Sequence, residues 1–313
     1  MPADERPEVP RPKVLLTGKN GQVGADLYQL LAHLADVRAT DRASLDLTDA
    51  RSIRECVRSF GPNIIINAAA YTAVDKAESE PQLAAAINAT APGVLAEAAV
   101  RAGALLIHYS TDYVFDGEKT GPYVESDPIN PLNIYGKTKA DGEEAIRATG
   151  CKHLIFRTSW VYSPRGSNFM LTILRLARER DELRIVNDQI GAPTSSELIA
   201  KATLRVLKAY LKCPSSEFIY GGTYHLTASG HCSWFDFATE IIRHLTEKEV
   251  RTRKLTAISS SEYPTPVRRP LNSRLTCSKI MDRFGVVLPE WQAAVPFVLS
   301  LLNIHNSGPQ QCR

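Results

Sequence analysis

The sequence predicts an α/β protein in which a Rossmann-type, doubly wound parallel sheet is followed by a smaller C-terminal α/β domain. The first observation is that short apolar runs alternate regularly with helical patterns between residues 13 and 157. This rhythm is typical of a parallel sheet with right-handed crossovers. The second is a glycine pattern directly after the first apolar run. The third is that the alternation becomes irregular beyond Trp160, which indicates a second domain.

Each element of the first half has a local signal. The predicted strands cover residues 13–17, 36–40, 63–67, 104–109 and 152–157, and the predicted helices cover residues 22–35, 49–60, 81–102 and 135–148. Gly61-Pro62 ends the second helix, and the apolar run between Asn63 and Asn67 is typical of a buried parallel strand. Gly103 is expected to end the third helix as its C-terminal cap.

The sequence beyond Trp160 predicts a less regular arrangement of helices and strands. The predicted elements are helices at residues 169–180, 197–211 and 233–245, strands at residues 183–186 and 223–226, a loop at residues 263–270, and two short terminal helices. Such a region cannot continue the parallel sheet in a simple way. We therefore expect it to form the smaller domain.

Composition narrows the class of protein. The chain has 313 residues, of which 44% are hydrophobic and 23% charged, as in ordinary globular proteins with ample core. A net charge of +3 gives no indication of nucleic-acid binding. We find no apolar run of the ~18 residues that a membrane helix needs, and therefore predict no membrane span. The six cysteines form no C-x-x-C pair, which favours reduced thiols in a cytoplasm over a zinc or disulfide framework.

The first tight turn has the residues that a dinucleotide-binding site needs. Gly18, Gly21 and Gly24 form a G-x-x-G-x-x-G pattern between a predicted strand and a predicted helix. Glycines let the backbone approach a pyrophosphate, whose charge is met by the helix N-terminus. The predicted cofactor contacts in this turn are Gly18, Asn20, Gly21, Gln22, Val23 and Gly24. A glycine-rich structural turn is the alternative interpretation.

The end of the second strand predicts which nicotinamide cofactor binds. Asp41 is placed to bind the adenosine ribose hydroxyls, which favours NADH, and its charge would repel the 2′-phosphate of NADPH. Because Arg42 could partly accept that phosphate, we expect NADH to serve at least as well as NADPH, with use of both. Asp46 and Leu47 are expected near the adenine, and the small alanines at residues 68–70 let the backbone pass beside the dinucleotide.

These signals divide the chain into domains. We assign residues 13–160, with about 187–212, to a dinucleotide-binding Rossmann domain. Residues of about 161–186 and 213–304 are assigned to a substrate-binding domain that closes over the cofactor. The segments 1–12 and 305–313, which are rich in proline and polar residues, are predicted to be a disordered and a flexible tail.

A tyrosine and a lysine indicate the chemistry. Tyr135 and Lys139 are four residues apart and therefore lie on one face of the predicted helix. A free tyrosine titrates near ~10, and a neighbouring cation favours the phenolate and brings its pKa toward the working range. Thr111 ends the fourth strand and offers a hydroxyl to a substrate carbonyl as hydride arrives. This set predicts carbonyl reduction, with Tyr135 as proton donor.

Several segments resemble motifs of a known family. They are Thr17-Gly-Lys-Asn-Gly-Gln-Val-Gly24, Asn67-Ala-Ala-Ala-Tyr-Thr-Ala-Val-Asp-Lys-Ala-Glu78, Ser110-Thr-Asp-Tyr-Val-Phe115, Arg157-Thr-Ser-Trp-Val-Tyr162, Asn187-Asp-Gln189, Gly191-Ala-Pro-Thr194, Tyr263-Pro-Thr-Pro266 and Arg269-Pro-Leu-Asn-Ser273. In these segments the chain resembles the dTDP-4-dehydrorhamnose reductases, which are extended short-chain dehydrogenases/reductases. The resemblance runs from about Lys13 to Leu301.

The resemblance implies reduction of the 4-keto group of dTDP-6-deoxy-L-lyxo-4-hexulose to dTDP-L-rhamnose, with NADH or NADPH. It implies that Tyr135 donates the proton, that Lys139 lowers the pKa of Tyr135 and binds the ribose, and that Thr111 orients the carbonyl. Further implied cofactor contacts are Ala69, Ala70, Tyr71, Thr72 and Tyr109. The implied contacts with the dTDP-sugar are Thr111, Asp112, Tyr113, Trp160 and Asn168. Arg268 and Arg269 lie in a loop suited to a diphosphate.

The resemblance also bears on assembly. Some relatives dimerise around a magnesium ion held by acidic residues. Asp26 and Glu197 stand at positions that look equivalent, but Leu301 takes the place of the C-terminal acid. Because losing a carboxylate weakens a site for a hard cation, we expect no tightly bound structural magnesium. A homodimer without the metal remains an expectation.

Two other functions stay open at this point. The regulatory β subunit of methionine adenosyltransferase shares the fold and the Tyr-Gly-Lys-Thr-Lys segment but acts as a binding partner. A nucleotide-sugar epimerase or dehydratase is the second. A dehydratase would need an acid pair beside Thr111, where Asp112 supplies a single carboxylate. Net consumption of the cofactor distinguishes a reductase from both.

Overall fold

The computed structural model describes residues 11–212, 221–263 and 265–306. The strands are β1 (Lys13–Thr17), β2 (Asp36–Thr40), β3 (Ile64–Asn67), β4 (Leu105–Thr111), β5 (His153–Thr158), β6 (Val161–Tyr162), β7 (Glu182–Val186), β8 (Ile190–Gly191), β9 (Thr194–Ser195), β10 (Gly222–His225), β11 (Cys232–Ser233) and β12 (Lys254–Ile258). Of the predicted tails, residues 1–10 and 307–313 lie outside the described ranges, as does Pro264 of the predicted loop.

The helices surround these strands. They are α1 (Gln22–Leu31), α2 (Ala50–Phe60), α3 (Val74–Ala77), α4 (Pro81–Ala85), α5 (Ala91–Ala102), α6 (Ile134–Ala148), α7 (Phe169–Glu179), α8 (Ser196–Lys212), α9 (Trp234–Arg243), α10 (Ser278–Phe284) and α11 (Val295–Asn306). Helix α1 ends earlier than predicted, because a tight turn after Leu31 brings Ala35 into the core.

The centre of the molecule is a six-stranded sheet with the order β10-β5-β4-β3-β1-β2, in which every pair is parallel. Successive side chains of a strand point to opposite faces. Val14 and Leu16 accordingly lie in one core with α1 and α8, whereas Leu15 lies in the other with α2 and α5. Helices on both faces of a parallel sheet confirm the predicted Rossmann-type fold.

The sixth strand of the large sheet comes from the C-terminal half of the chain, which is a difference from the sequence prediction. Strand β10 was assigned to the smaller domain, but it pairs in parallel with β5, with Gly222 opposite Leu154 and His225 opposite Arg157. Its buried Tyr224 lies in the same core as α8 and α10. Residues 222–225 and helix α10 therefore extend the large sheet and its helical layer. This is a correction to the assignment of residues 213–304 to the smaller domain.

The predicted third helix is interrupted. Between α4 and α5, residues Ala86–Thr90 form a π-helical turn. By length and mean hydropathy alone, the combined segment Pro81–Ala102 could cross a membrane, although polar residues such as Asn88 and Glu97 interrupt it. Half of its apolar window is buried, and α5 packs between α2 and α6 in the core.

The smaller region has its own core. Helices α7, α9 and α11 enclose an apolar cluster that includes Tyr162, Phe237 and Trp291. Three short strand pairs accompany it: β7 with β12, β8 with β11, and β6 with β9. This region lies beyond the carboxyl ends of β4 and β5, so a cleft forms between it and the edge of the large sheet.

Candidate active site

The glycine turn leads directly into helix α1. Gly18 has φ +73°, and a Cβ there would lie 2.8 Å from the backbone of Ala69 at the end of β3. Gly24 also needs to be glycine, because a Cβ there would collide with the carbonyl of Gly18. Gly21 caps α1 without a side-chain hydrogen bond, so the first N–H groups of the helix remain free to meet a pyrophosphate. This geometry fits a dinucleotide.

Asp41 lies at the end of β2, next to the glycine turn. Lys19 Nζ is 3.2 Å from its carboxylate, and Asn20 donates a hydrogen bond of 3.2 Å to the same oxygen. Hydrogen bonds from Ser44, followed by Lys19, hold the pKa of Asp41 well below its ordinary value. The sequence predicted Arg42 as the neighbouring cation. The structure brings Lys19 to Asp41 instead, and the charge of Arg42 acts on Asp46.

Asp46 and Leu47 belong to the loop after β2. The Asp46 carboxylate accepts hydrogen bonds of 2.8 Å from both the backbone and the hydroxyl of Thr48, and these lower its pKa. Leu47 packs against the core between the sheet and α2. Both residues therefore have structural roles at the edge of the predicted adenine site.

Thr111 and Tyr135 meet at the carboxyl end of β4. The Thr111 hydroxyl donates to Asp112 Oδ1 at 3.0 Å and accepts from the backbone N–H of Tyr113 at 3.1 Å. Tyr135 lies in the first turn of α6, which is capped by the side chain of Asn133. Burial raises the pKa of the Tyr135 hydroxyl well above its ordinary value, and a hydrogen bond with Thr111 opposes this shift. The hydroxyl therefore remains protonated at neutral pH.

Lys139 follows one helical turn later and is 1% exposed. Its ammonium donates to the Tyr109 carbonyl at 2.6 Å and to His108 Nε2 at 3.1 Å. Burial lowers the pKa of Lys139 to about 8. The predicted lowering of the Tyr135 pKa by Lys139 is not seen in this geometry, because strand β4 holds the ammonium and burial dominates at Tyr135.

His108 lies directly beneath the site and was not among the residues predicted from the sequence. It is buried in β4, and burial followed by the charge of Lys139 lowers its pKa well below the ordinary value, so the ring is neutral. Its Nδ1 lies 3.1 Å from the side-chain amide of Asn67, which in turn accepts from the Thr17 hydroxyl at 2.6 Å. A polar chain therefore crosses the sheet beneath the site and fixes Lys139. The sequence signal that could have identified His108 is its position as a polar residue directly after the apolar run of β4.

Asn88 was also missed, although it holds a predicted cofactor segment. It lies in the π-helical turn, is 1% exposed, and bonds both the N–H and the carbonyl of Tyr71 at 2.9 and 3.0 Å. Its amide also reaches the Thr138 hydroxyl at 3.2 Å. The segment that ends in Thr72 is thereby tied to α6, which carries Tyr135 and Lys139.

The cleft has a volume of about 1770 Å³ and contains most of the predicted substrate residues. Gln22, Thr72, Thr111, Asp112, Tyr113, Tyr135, Trp160, Arg268 and Arg269 line it. Asp112 is 2% exposed, and burial raises the pKa of its carboxyl group to about 6. The Tyr113 ring meets Tyr135 edge to face, with centroids 5.5 Å apart. The structure therefore brings Tyr135 and four of the five predicted substrate residues to one cleft, whereas Lys139 is buried behind it.

Other predicted residues have partners within the chain. Asn168 caps α7 and donates to Gln22 Oε1 at 2.9 Å, so it links the smaller region to the glycine turn. Arg269 pairs with Asp75 at 2.8 Å. Arg268 is exposed and lies 3.5 Å from Glu118.

The carboxylates considered for magnesium are paired with cations of the same chain. Arg165 lies 2.8 Å from Asp26, and Lys201 lies 2.5 Å from Glu197. Within the described residues, no group of three or more His, Cys, Asp or Glu side chains could hold a metal ion. The absence of a tightly bound structural magnesium stays a prediction from the sequence.

The parallel sheet, the glycine turn and the Thr–Tyr–Lys arrangement define an extended short-chain dehydrogenase/reductase. The chain matches the family model described as RmlD substrate binding domain over residues 12–304. The dTDP-4-dehydrorhamnose reductase of Escherichia coli (strain K12) is 48% identical over 296 residues, which cover 92% of this chain and 97% of that protein. The chain therefore belongs to the dTDP-4-dehydrorhamnose reductase family.

Solved structures agree with this family. A dTDP-4-dehydrorhamnose reductase from Clostridium acetobutylicum has a TM-score of 0.85 at 38% identity, covering 93% of this chain and 99% of that chain. A dTDP-4-dehydrorhamnose reductase from Bacillus anthracis, solved in complex with NADP, also has a TM-score of 0.85, at 34% identity and the same coverage. The resemblance inferred from the sequence motifs is confirmed.

Proposed function

We propose that this protein reduces the 4-keto group of dTDP-6-deoxy-L-lyxo-4-hexulose to dTDP-L-rhamnose, with NADH or NADPH as cofactor. The observation that carries the proposal is the placement of the Thr111 and Tyr135 hydroxyls together on the cleft wall, at the same sheet edge as the glycine turn. Family membership supports the substrate. The bound reduced nicotinamide would supply a hydride.

The residues of the chain provide binding, orientation and a proton. The Thr111 hydroxyl orients the substrate carbonyl, and Tyr135 donates its phenolic proton to the oxygen as negative charge develops there. A tyrosine hydroxyl that titrates at ~10 or above is protonated at neutral pH, so the acid is ready before the reaction. Lys139, fixed by Tyr109 and His108, would bind the ribose and place a positive charge below the reacting centre.

Purified protein mixed with NADH and enzymatically generated dTDP-6-deoxy-L-lyxo-4-hexulose tests the proposal. We expect stoichiometric loss of the reduced-nicotinamide absorbance and formation of dTDP-L-rhamnose. NADH that binds but is never consumed would contradict the reductase and favour the epimerase or the regulatory subunit. A homodimer and a cytoplasmic location stay predictions from the sequence.

Cofactor preference is expected to depend on Asp41. Replacing it by alanine should raise the kcat/KM ratio of NADPH to NADH by roughly ten- to a hundredfold, since repulsion is removed and Lys19 becomes free to pair with the 2′-phosphate. Asp46→Ala is the control: it removes an equal charge from the same loop but leaves the Lys19–Asp41 pair, and should change the ratio less than about twofold. A strong NADPH preference in the unmodified protein would contradict the assigned role of Asp41.

A further inference from the structure

Trp160 has an unusual backbone conformation. It follows β5 with φ +48°, the single non-glycine residue with positive φ among residues 11–212, 221–263 and 265–306. The left-handed region is uncommon for bulky side chains and is found where surrounding structure enforces it, often at functional sites. The surroundings of Trp160 should therefore show what holds it there.

Trp234 covers one face of the Trp160 indole. The ring centroids are 3.5 Å apart and the planes differ by 9°. Trp234 is itself fixed, because its Nε1 donates to Gln189 Oε1 at 3.1 Å and its ring packs against Phe169 with centroids 4.5 Å apart. Gln189 in turn donates to the Ser260 hydroxyl at 2.9 Å. The second indole is a rigid support for the first.

Gly191 fixes the edge of the same ring. A Cβ at this position would lie 2.5 Å from Cε2 of Trp160. Gly191 belongs to β8, which pairs with β11 immediately before Trp234, with Gly191 opposite Cys232 and Ile190 opposite Ser233. The pairing of β8 with β11 therefore fixes the position of the Gly191 backbone, at the edge of the Trp160 ring, relative to the Trp234 indole stacked on the face of that ring.

Both indoles line the cleft that contains Thr111 and Tyr135. We propose that Trp234 and Gly191 are specificity-determining positioning residues, which hold Trp160 as a rigid apolar wall for the hexose of the substrate in this cleft. The inference rests on the proposed function in taking a nucleotide sugar as the ligand. A fixed aromatic wall favours binding of the sugar, because the ring loses no conformational freedom when the sugar binds. Since the wall does not touch the nucleotide, its effect is confined to the sugar.

The variants Trp234→Leu, Trp234→Phe and Gly191→Ala test the wall through two readouts. One is the exciton couplet of stacked indoles in far-ultraviolet circular dichroism, and the other is the Kd of dTDP divided by that of dTDP-L-rhamnose, from calorimetry. Trp234→Leu should lose the couplet and lower this ratio by about tenfold. Trp234→Phe should lose the couplet but keep the ratio within about threefold, since an aromatic face remains under Trp160. Gly191→Ala, which displaces the ring, should alter the couplet and lower the ratio.

A ratio that is unchanged in Trp234→Leu and Gly191→Ala overturns the proposal, as does an equal loss of affinity for dTDP and dTDP-L-rhamnose. Gly191→Ala and Trp234→Phe keep the test decisive if the leucine variant does not fold. Turnover of the keto sugar by the unmodified protein tests the reductase separately, because both readouts of the wall are obtained without catalysis.

Discussion

Replacement of Tyr135 by phenylalanine is expected to lower kcat by ~10²–10⁴-fold while leaving the Kd for NADH nearly unchanged. The substitution removes the phenolic proton of Tyr135 beside Thr111, and it keeps the ring and its edge-to-face contact with Tyr113. Steady-state kinetics with the keto sugar and direct titration with NADH measure the two effects separately.

Tyr113→Phe is the matched comparison. It removes the hydroxyl of the neighbouring ring. Burial, followed by the charge of Asp112, raises the pKa of this hydroxyl to about 12, and Arg269 opposes that shift. Because this hydroxyl lies toward Arg269, we expect its loss to act on KM more than on kcat. Near-normal kcat in Tyr135→Phe would remove Tyr135 from the role of acid. A larger kcat effect in Tyr113→Phe would transfer that role to Tyr113.

The parts of the fold that could be predicted from the sequence are those with local causes. The glycine turn, the apolar strands and the helix ends at Gly61 and Gly103 each follow from a few adjacent residues, and both glycines have the positive φ typical of a helix C-cap. The strand at residues 223–226 was predicted, but the place of β10 in the large sheet has no such local cause. Strand β10 pairs with β5, which is far away in the sequence, and no residue pattern within Gly222–His225 indicates which strand it pairs with.

The site shows the same division. The spacing of Tyr135 and Lys139 predicts that they share a helix face, but it does not say which acceptors the ammonium meets. His108 and the Tyr109 carbonyl come from β4, so the electrostatic state of Lys139 depends on packing between α6 and the sheet. The Trp160–Trp234 stack likewise joins residues far apart in sequence. Such contacts carry no local pattern.

Glu143→Gln is expected to lower the free energy of unfolding by about 3–5 kcal/mol, because it breaks a buried ion pair and leaves its cation in place. Glu143 is fully buried on α6, and Arg157 on β5 is 3% exposed. The guanidinium donates two hydrogen bonds to the carboxylate, at 2.8 and 2.7 Å, and lies 5.1 Å from the centroid of the Phe115 ring. Glutamine preserves the shape but leaves the Arg157 charge without a buried partner.

The effect should depend on pH. Burial by itself would raise the pKa of Glu143, but Arg157, together with Ser110 and Arg147, outweighs it, and the pKa is lowered overall. Stability from a carboxyl group with a depressed folded-state pKa is present above the unfolded pKa and is lost as pH falls through the folded value. The difference between the unmodified protein and Glu143→Gln should therefore shrink once the pH falls below about 4.

Glu144→Gln provides the control for this experiment. Glu144 neighbours Glu143 on α6 and pairs with Arg147 at 3.3 Å, but its side chain is 72% exposed. Solvent screens such a pair, so we expect a change in unfolding free energy of less than about 0.5 kcal/mol. Urea denaturation of both variants at neutral and acidic pH makes the comparison. A Glu143→Gln protein within about 1 kcal/mol of the unmodified one would show that Arg157 finds another partner or reaches solvent, and that the pair does not join α6 to β5.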